Sequence, residues 1–182
     1  MDSCLTVLEP VVEPVAGTAL TAPRPERLDG LVLGVLDNGK PNSDRFLAVL
    51  AARLQEDHDL AGVIVERKPN IGKLAPDALV DALAGRCDLI LTGVGDCAGC
   101  CSCSTHDGIA FERRGIPAAV VCTTEFVAAA RTAASAAGLA SYPLVVIDHP
   151  LGSASPDQLD RRAARALSQV EATLLEGGAC AC

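Results

Sequence analysis

Apolar residues along this chain fall into short continuous runs. Turn-forming clusters and stretches of helical spacing separate the runs. Leu31–Leu36 is the first run. The cluster Asp37-Asn38-Gly39-Lys40-Pro41-Asn42 ends it. Ser43 or Asp44 then caps a helix carrying Phe46, Leu47, Leu50 and Leu54 at helical spacing. Gly62–Val65 reads as a second strand, and Pro76 opens a second helix at a first-turn position where proline is tolerated. Asp88–Val94 follows as a third strand, and Ser104–Arg114 as a helix stopped by Gly115. Pro117–Cys122, Thr123–Ala137 (an Ala-rich helix ended by Gly138), Leu144–Ile147 and the long helix Pro156–Leu175 complete the pattern. Strand and helix therefore alternate five times.

The strands are continuously apolar rather than alternating, the pattern of strands buried on both faces. That predicts an α/β fold: an open, doubly wound, parallel five-stranded sheet in three α/β/α layers, flavodoxin-like, with strand order 2-1-3-4-5. The domain organisation expected is an extended N-terminal arm over 1–29, a single α/β domain over 30–176, and a flexible Gly-rich tail over 177–182. The arm is rich in Glu-Pro steps, with an edge strand expected around Leu5–Leu8 and no role read for Cys4.

In a sheet of this kind ligands bind beyond the carboxyl ends of the strands. The polar clusters fall there: Asn38 and Lys40 after the first strand, Arg67-Lys68-Pro69-Asn70 after the second, and Asp96-Cys97-Ala98-Gly99-Cys100 after the third. Thr123, Thr124 and Glu125 follow the fourth, and Asp148 and His149 the fifth. Aromatic residues make up only 2% of the chain, so the core must be built from Ala, Val, Leu and Ile. The formal charge of -8 argues against nucleic acid and anionic membrane surfaces, both of which need basic patches. No apolar run approaches the roughly 18 residues of a membrane span, and no signal peptide is read at the N-terminus. The reducing cytoplasm is the expected compartment, where cysteines serve more often as ligands or redox groups than as structural disulfides.

Nine cysteines are present, four of them (Cys97, Cys100, Cys101, Cys103) within seven residues. Cys97-Ala98-Gly99-Cys100 is a C-x-x-C at a strand-to-helix junction, where free N–H groups and the helix dipole favour a thiolate. Cys97 is the expected nucleophile and Cys100 its resolving partner. With Ser104 as a helix cap, His106 falls in the first turn and is a candidate proton carrier for the thiols. Asn38, Lys40, Thr123, Thr124 and His149 are candidates for binding a small-molecule substrate, His149 also as an acid. Lys40 is further placed to lower a thiol pKa. Cys180 and Cys182 form a dithiol on the tail, suited to reducing a Cys97–Cys100 disulfide. Cys87 and Cys122 read as small buried hydrophobes, and His58 as a surface residue.

Three functions compete on these residues. The first is a thiol-dependent oxidoreductase or reductive lyase with no required cofactor. It would act on a small electrophile and be recycled by the tail or by an external dithiol such as a thioredoxin. The second is a metal-binding protein holding Zn, Cu(I) or an Fe–S cluster on Cys97, Cys100, Cys101 and Cys103, with or without Cys180 and Cys182. The third is an interaction domain without chemistry, with the N-terminal arm a candidate clasp in a homo-oligomer.

Taken together, Asp37-Asn38-Gly39-Lys40-Pro41-Asn42, Gly93-Val94-Gly95-Asp96-Cys97-Ala98-Gly99-Cys100, His106-Asp107 and Glu112-Arg113-Arg114-Gly115-Ile116-Pro117 resemble the UGSC family, over roughly residues 30–152. Those proteins are named for a selenocysteine (or cysteine)-Gly-Ser-Cys motif. The resemblance implies an α/β fold and a redox-type active position at Cys97 partnered by Cys100. This chain has Ala98-Gly99 where the motif has Gly-Ser, and it adds Cys101, Cys103 and the Cys180/Cys182 pair.

Overall fold

The computed structural model describes residues 21–177. Its elements are β1 (Val32–Asp37), α1 (Ser43–Asp57), β2 (Gly62–Arg67), α2 (Asp77–Ala84), β3 (Leu89–Gly95) and α3 (Ala98–Glu112). They are followed by β4 (Ala118–Thr123), a 3₁₀ turn (Thr124–Phe126), α4 (Val127–Ala136), β5 (Val145–Ile147) and α5 (Pro156–Glu176). All strands are parallel, in the order β2-β1-β3-β4-β5. The expected fold class and strand order both hold. Among the described residues no helix is long and apolar enough to cross a membrane.

Helices α1 and α5 cover one face of the sheet, where Phe46, Leu47, Leu50, Leu159, Ala163 and Val170 pack on β1, β3 and β4. Helices α2, α3 and α4 cover the other. The chain thus changes face between β1, which leads into α1, and β3, which leads into α3. The carboxyl ends of these neighbouring strands mark the topological switch point, the place where sheets of this kind bind ligands.

Helix α3 lies close on the sheet because two glycines leave room for it. A Cβ on Gly95 would stand 2.7 Å from the Cys101 sulfur, and one on Gly108 would collide with the Val120 side chain. Strands β1, β3 and β4 are buried almost throughout, as their apolar runs predict. β2 is different: it is an edge strand, and Val65 is 65% exposed. The opposite edge is closed by a side chain. Gln169 of α5 accepts a hydrogen bond from the Val146 N–H at 3.0 Å and donates to its carbonyl at 3.2 Å, taking the place of a further strand.

Of the N-terminal arm, residues 21–29 are described. They form no regular element but are held tightly. Buried Glu112, at the C-terminal end of α3, accepts hydrogen bonds from the Ala22 N–H, the Ala118 N–H and both terminal nitrogens of Arg24. Removing that carboxylate strands a mostly buried guanidinium and two amides. We therefore expect Glu112→Ala to cost about 3–5 kcal/mol in urea unfolding; a loss under about 1 kcal/mol would show that the pair is dispensable. The edge strand read at Leu5–Leu8, Cys4, Cys180 and Cys182 lie outside the described residues.

Candidate active site at the switch point

The sequence reading places Cys97–Cys103 in a loop and starts the helix at Ser104. In the structure α3 begins seven residues earlier than Ser104 suggests, with Cys97 itself as N-cap. Its backbone is extended, and its sulfur accepts the Cys100 N–H at 3.3 Å, as an Asp or Ser oxygen does in an ordinary cap. Cys100 therefore sits on the first turn with its sulfur 2.7 Å from that of Cys97, both as free thiols.

The two thiols are strongly differentiated. Burial pushes the Cys100 thiol up to about 12, with its hydrogen bond to Cys97 acting in the same direction. Partial burial would raise Cys97 too. It is outweighed by hydrogen bonds from the Cys100 thiol and N–H and from the Lys40 ammonium, so the Cys97 pKa lies below the ordinary thiol value. Of the two thiols, Cys97 is therefore the one that ionises first, with Cys100 holding its proton beside it. Lys40 gains from the same arrangement: desolvation works against its charge, but Cys100, Cys97 and Asp96 together raise its pKa.

Lys40 is held there by the turn after β1. Asn38 is buried, its Oδ1 accepting the Lys40 N–H and its Nδ2 donating to the Val94 carbonyl and to Ser104 Oγ. Asn38, expected to bind substrate, is therefore committed to the scaffold. Asp37 accepts from Gly39 N–H and from Ser43 Oγ, closing the same turn. Asn42, in the left-handed region at φ 66°, donates to the Leu151, Gly152 and Ala154 carbonyls and so ties this turn to the loop after β5.

That second loop carries His149. Its Nδ1 lies 2.9 Å from Asp96 Oδ1 and 3.1 Å from Thr123 Oγ1. Asp96, immediately before Cys97, also accepts the Leu151 and Gly152 N–H groups. Thr123 is fully buried and donates its hydroxyl to the Gly95 carbonyl, so it orients His149 instead of reaching a substrate. Thr124 is exposed at the start of the 3₁₀ turn. Asp96 carried no assignment in the sequence reading; its position between a strand end and the C-x-x-C was the available signal.

His106 does not join the cluster. With the helix starting at Ala98 it lies in the third turn, six residues from Cys100, on another face of α3, with no hydrogen bond to a thiol. Its expected role as proton carrier is corrected by that earlier helix start. The four clustered cysteines also diverge. Cys101 points inward, its sulfur directed to the Phe126 carbonyl and packed with Cys122 and Ala130. Cys103 lies beside Lys68 and Asp107. Among the described residues no group of three or more His, Cys, Asp or Glu is placed to hold a metal ion. The expected Cys97/Cys100/Cys101/Cys103 ligand set does not converge, because successive helical positions face different directions. Cys87 and Cys122 are buried, and His58 pairs with Glu171 at 2.9 Å.

Cys180 and Cys182 follow Gly177, outside the described residues. Gly177 ends α5 beside Arg24, the partner of Glu112, and Glu112 lies at the far end of α3 from Cys97. Helix α3 spans about 22 Å and α5 about 31 Å.

Fold and site together define a flavodoxin-like α/β protein with a helix-capping C-x-x-C at its switch point. The chain belongs to the UGSC family, whose sequence model matches residues 6–176. No curated protein matches it.

Proposed function

We propose that the protein is a thiol-dependent oxidoreductase in which Cys97 attacks a small electrophile and Cys100 resolves the adduct. The observation that carries this reading is the differentiated pair at the start of α3: two sulfurs 2.7 Å apart, one with its pKa lowered by Lys40 and Cys100, the other held protonated. A nucleophile needs the thiolate, and a resolving thiol must wait until the adduct forms.

The reaction proceeds in two displacements. The Cys97 thiolate forms a bond to the electrophilic atom, and the leaving group departs with the electron pair of the bond that breaks. Cys100 then attacks the Cys97 sulfur. A disulfide forms, the substrate fragment leaves with the bonding pair, and it takes up the proton released by Cys100. The dithiol supplies two electrons, and an external dithiol of the thioredoxin type, by two exchange steps, restores it.

Lys40 tests the electrostatic part of this reading. Removing its charge in Lys40→Met raises the Cys97 pKa. The thiolate, present above that pKa and lost as pH falls through it, then appears only at higher pH. The expected result is a several-fold lower rate of Cys97 alkylation by iodoacetamide at neutral pH, recovered at alkaline pH. An unchanged pH profile would remove Lys40 from the site.

A further inference from the structure

We infer that His149 is the general acid of this site, protonating the leaving group as Cys97 attacks, with Asp96 and Thr123 as its positioning residues. The inference rests on the proposed function of Cys97 and adds to it a second reacting group and a substrate class.

The argument starts from the hydrogen on Nδ1. Thr123 has one hydroxyl hydrogen, and it is donated to the Gly95 carbonyl at 3.1 Å. Towards His149 the Thr123 oxygen can therefore only accept. Asp96 Oδ1, on the same nitrogen at 2.9 Å, is likewise an acceptor. Both neighbours require Nδ1 to carry a hydrogen. The other ring nitrogen, Nε2, has no hydrogen-bond partner among the described residues, on a side chain 31% exposed. A carboxylate on the N–H of an imidazole fixes the tautomer and stabilises the imidazolium form, the arrangement used wherever histidine moves protons for a nucleophile.

The ring is held firmly. Asp96 is only 10% exposed and is anchored by the Leu151 and Gly152 N–H groups. Phe126 packs edge-on against the imidazole, with ring centroids 5.5 Å apart. Asp96 is covalently adjacent to Cys97, and Lys40 feels the charges of Asp96, Cys97 and Cys100 together. Through Asp96 the imidazole is thus tied to the residue that immediately precedes the nucleophile, at the carboxyl end of the sheet. His106 has no comparable partner.

The chemical consequence is a preference for substrates whose leaving atom is basic, such as an alkyl thiolate, an alkoxide or an amine. With a disulfide, the Cys97 thiolate forms an S–S bond to one sulfur, the original S–S bond breaks, and the departing thiolate takes the proton from Nε2 to leave as a neutral thiol. The imidazolium becomes neutral imidazole.

Two disulfide probes separate this role from a structural one. Bis(hydroxyethyl) disulfide releases a basic alkyl thiolate that benefits from a proton; a dipyridyl disulfide releases a weakly basic group that does not. The variant His149→Asn keeps a side-chain N–H for Asp96 and Thr123 but lacks the titrating nitrogen. Its first exchange step at Cys97 is expected to slow by about tenfold or more with the alkyl probe, and to stay within about twofold with the aryl probe. Equal slowing with both probes, or no slowing with either, would overturn the assignment. If Cys97 of the unmodified chain reacts with neither probe faster than Cys103, the proposed function itself fails, a result visible before any His149 variant is made.

Discussion

Cys97→Ser is expected to abolish the fast thiol of this protein, and Cys100→Ser to preserve it while trapping the adduct. The two variants separate the two roles because the structure separates the two thiols. Among the described cysteines, Cys97 alone combines partial exposure with a lowered pKa. Cys103, also partly exposed, has its pKa raised by burial. Cys87, Cys100, Cys101 and Cys122 are buried. Without Cys97, exchange with a dipyridyl disulfide at the described cysteines should fall by about a hundredfold or more, since the other described thiols are protonated or covered. Loss of Cys100 should leave a rapid first step and a stable mixed disulfide on Cys97, because the sulfur that would displace it is absent. Intact mass after a stoichiometric addition of the probe distinguishes these products. A fast phase that survives Cys97→Ser would relocate the nucleophile.

The second large effect concerns stability. Lys68 Nζ is fully buried and 2.5 Å from Asp107 Oδ2, while Asp107 Oδ1 accepts the Ala75 N–H at 2.8 Å. One carboxylate of α3 therefore clamps both ends of the 68–75 segment that links β2 to α2. Asp107→Ala leaves a buried ammonium without its counter-charge and an amide without its acceptor, which should cost about 3–5 kcal/mol. For a domain of this size that lowers Tm by roughly 10 °C or more. The double variant Lys68→Met/Asp107→Leu should recover much of the loss, because apolar replacement of a whole buried pair is often close to neutral. Additive losses in the double variant would show that the two groups act independently.

The architecture was legible because its signals are local. Continuous apolar runs mark β1, β3 and β4. Pro156 marks the start of α5, and the structure adds a capping box in which Ser155 and Gln158 exchange hydrogen bonds. Edge strand β2 is more exposed than its apolar run suggests, as its outermost place in the expected order 2-1-3-4-5 requires. The start of α3 was hidden for a different reason. Buried positions run around most of this helix, from Cys100, Cys101, Ser104 and Thr105 to Asp107, Gly108 and Ile109, so no apolar stripe appears. Cysteine is also not a usual cap, and Ser104 imitates one. That single displacement moved His106 away from the thiols.

Cys97, Cys100 and Lys40 could be read from spacing and strand ends. The Asp96–His149–Thr123 contacts could not, since they join three separate loops and exist only once the sheet has aligned β3, β4 and β5. The Lys68–Asp107 pairing is hidden for the same reason: each residue looks like a solvated charge until the fold buries it against the other.

Pulse alkylation with iodoacetamide across pH, with each labelled cysteine located by peptide mass spectrometry, tests the central claim most directly. The account predicts that Cys97 is labelled first, that its titration midpoint lies below that of an ordinary thiol, and that Cys100 stays unlabelled through neutral pH. Labelling of Cys97 no faster than Cys103, with a midpoint at or above the ordinary thiol value, would contradict it.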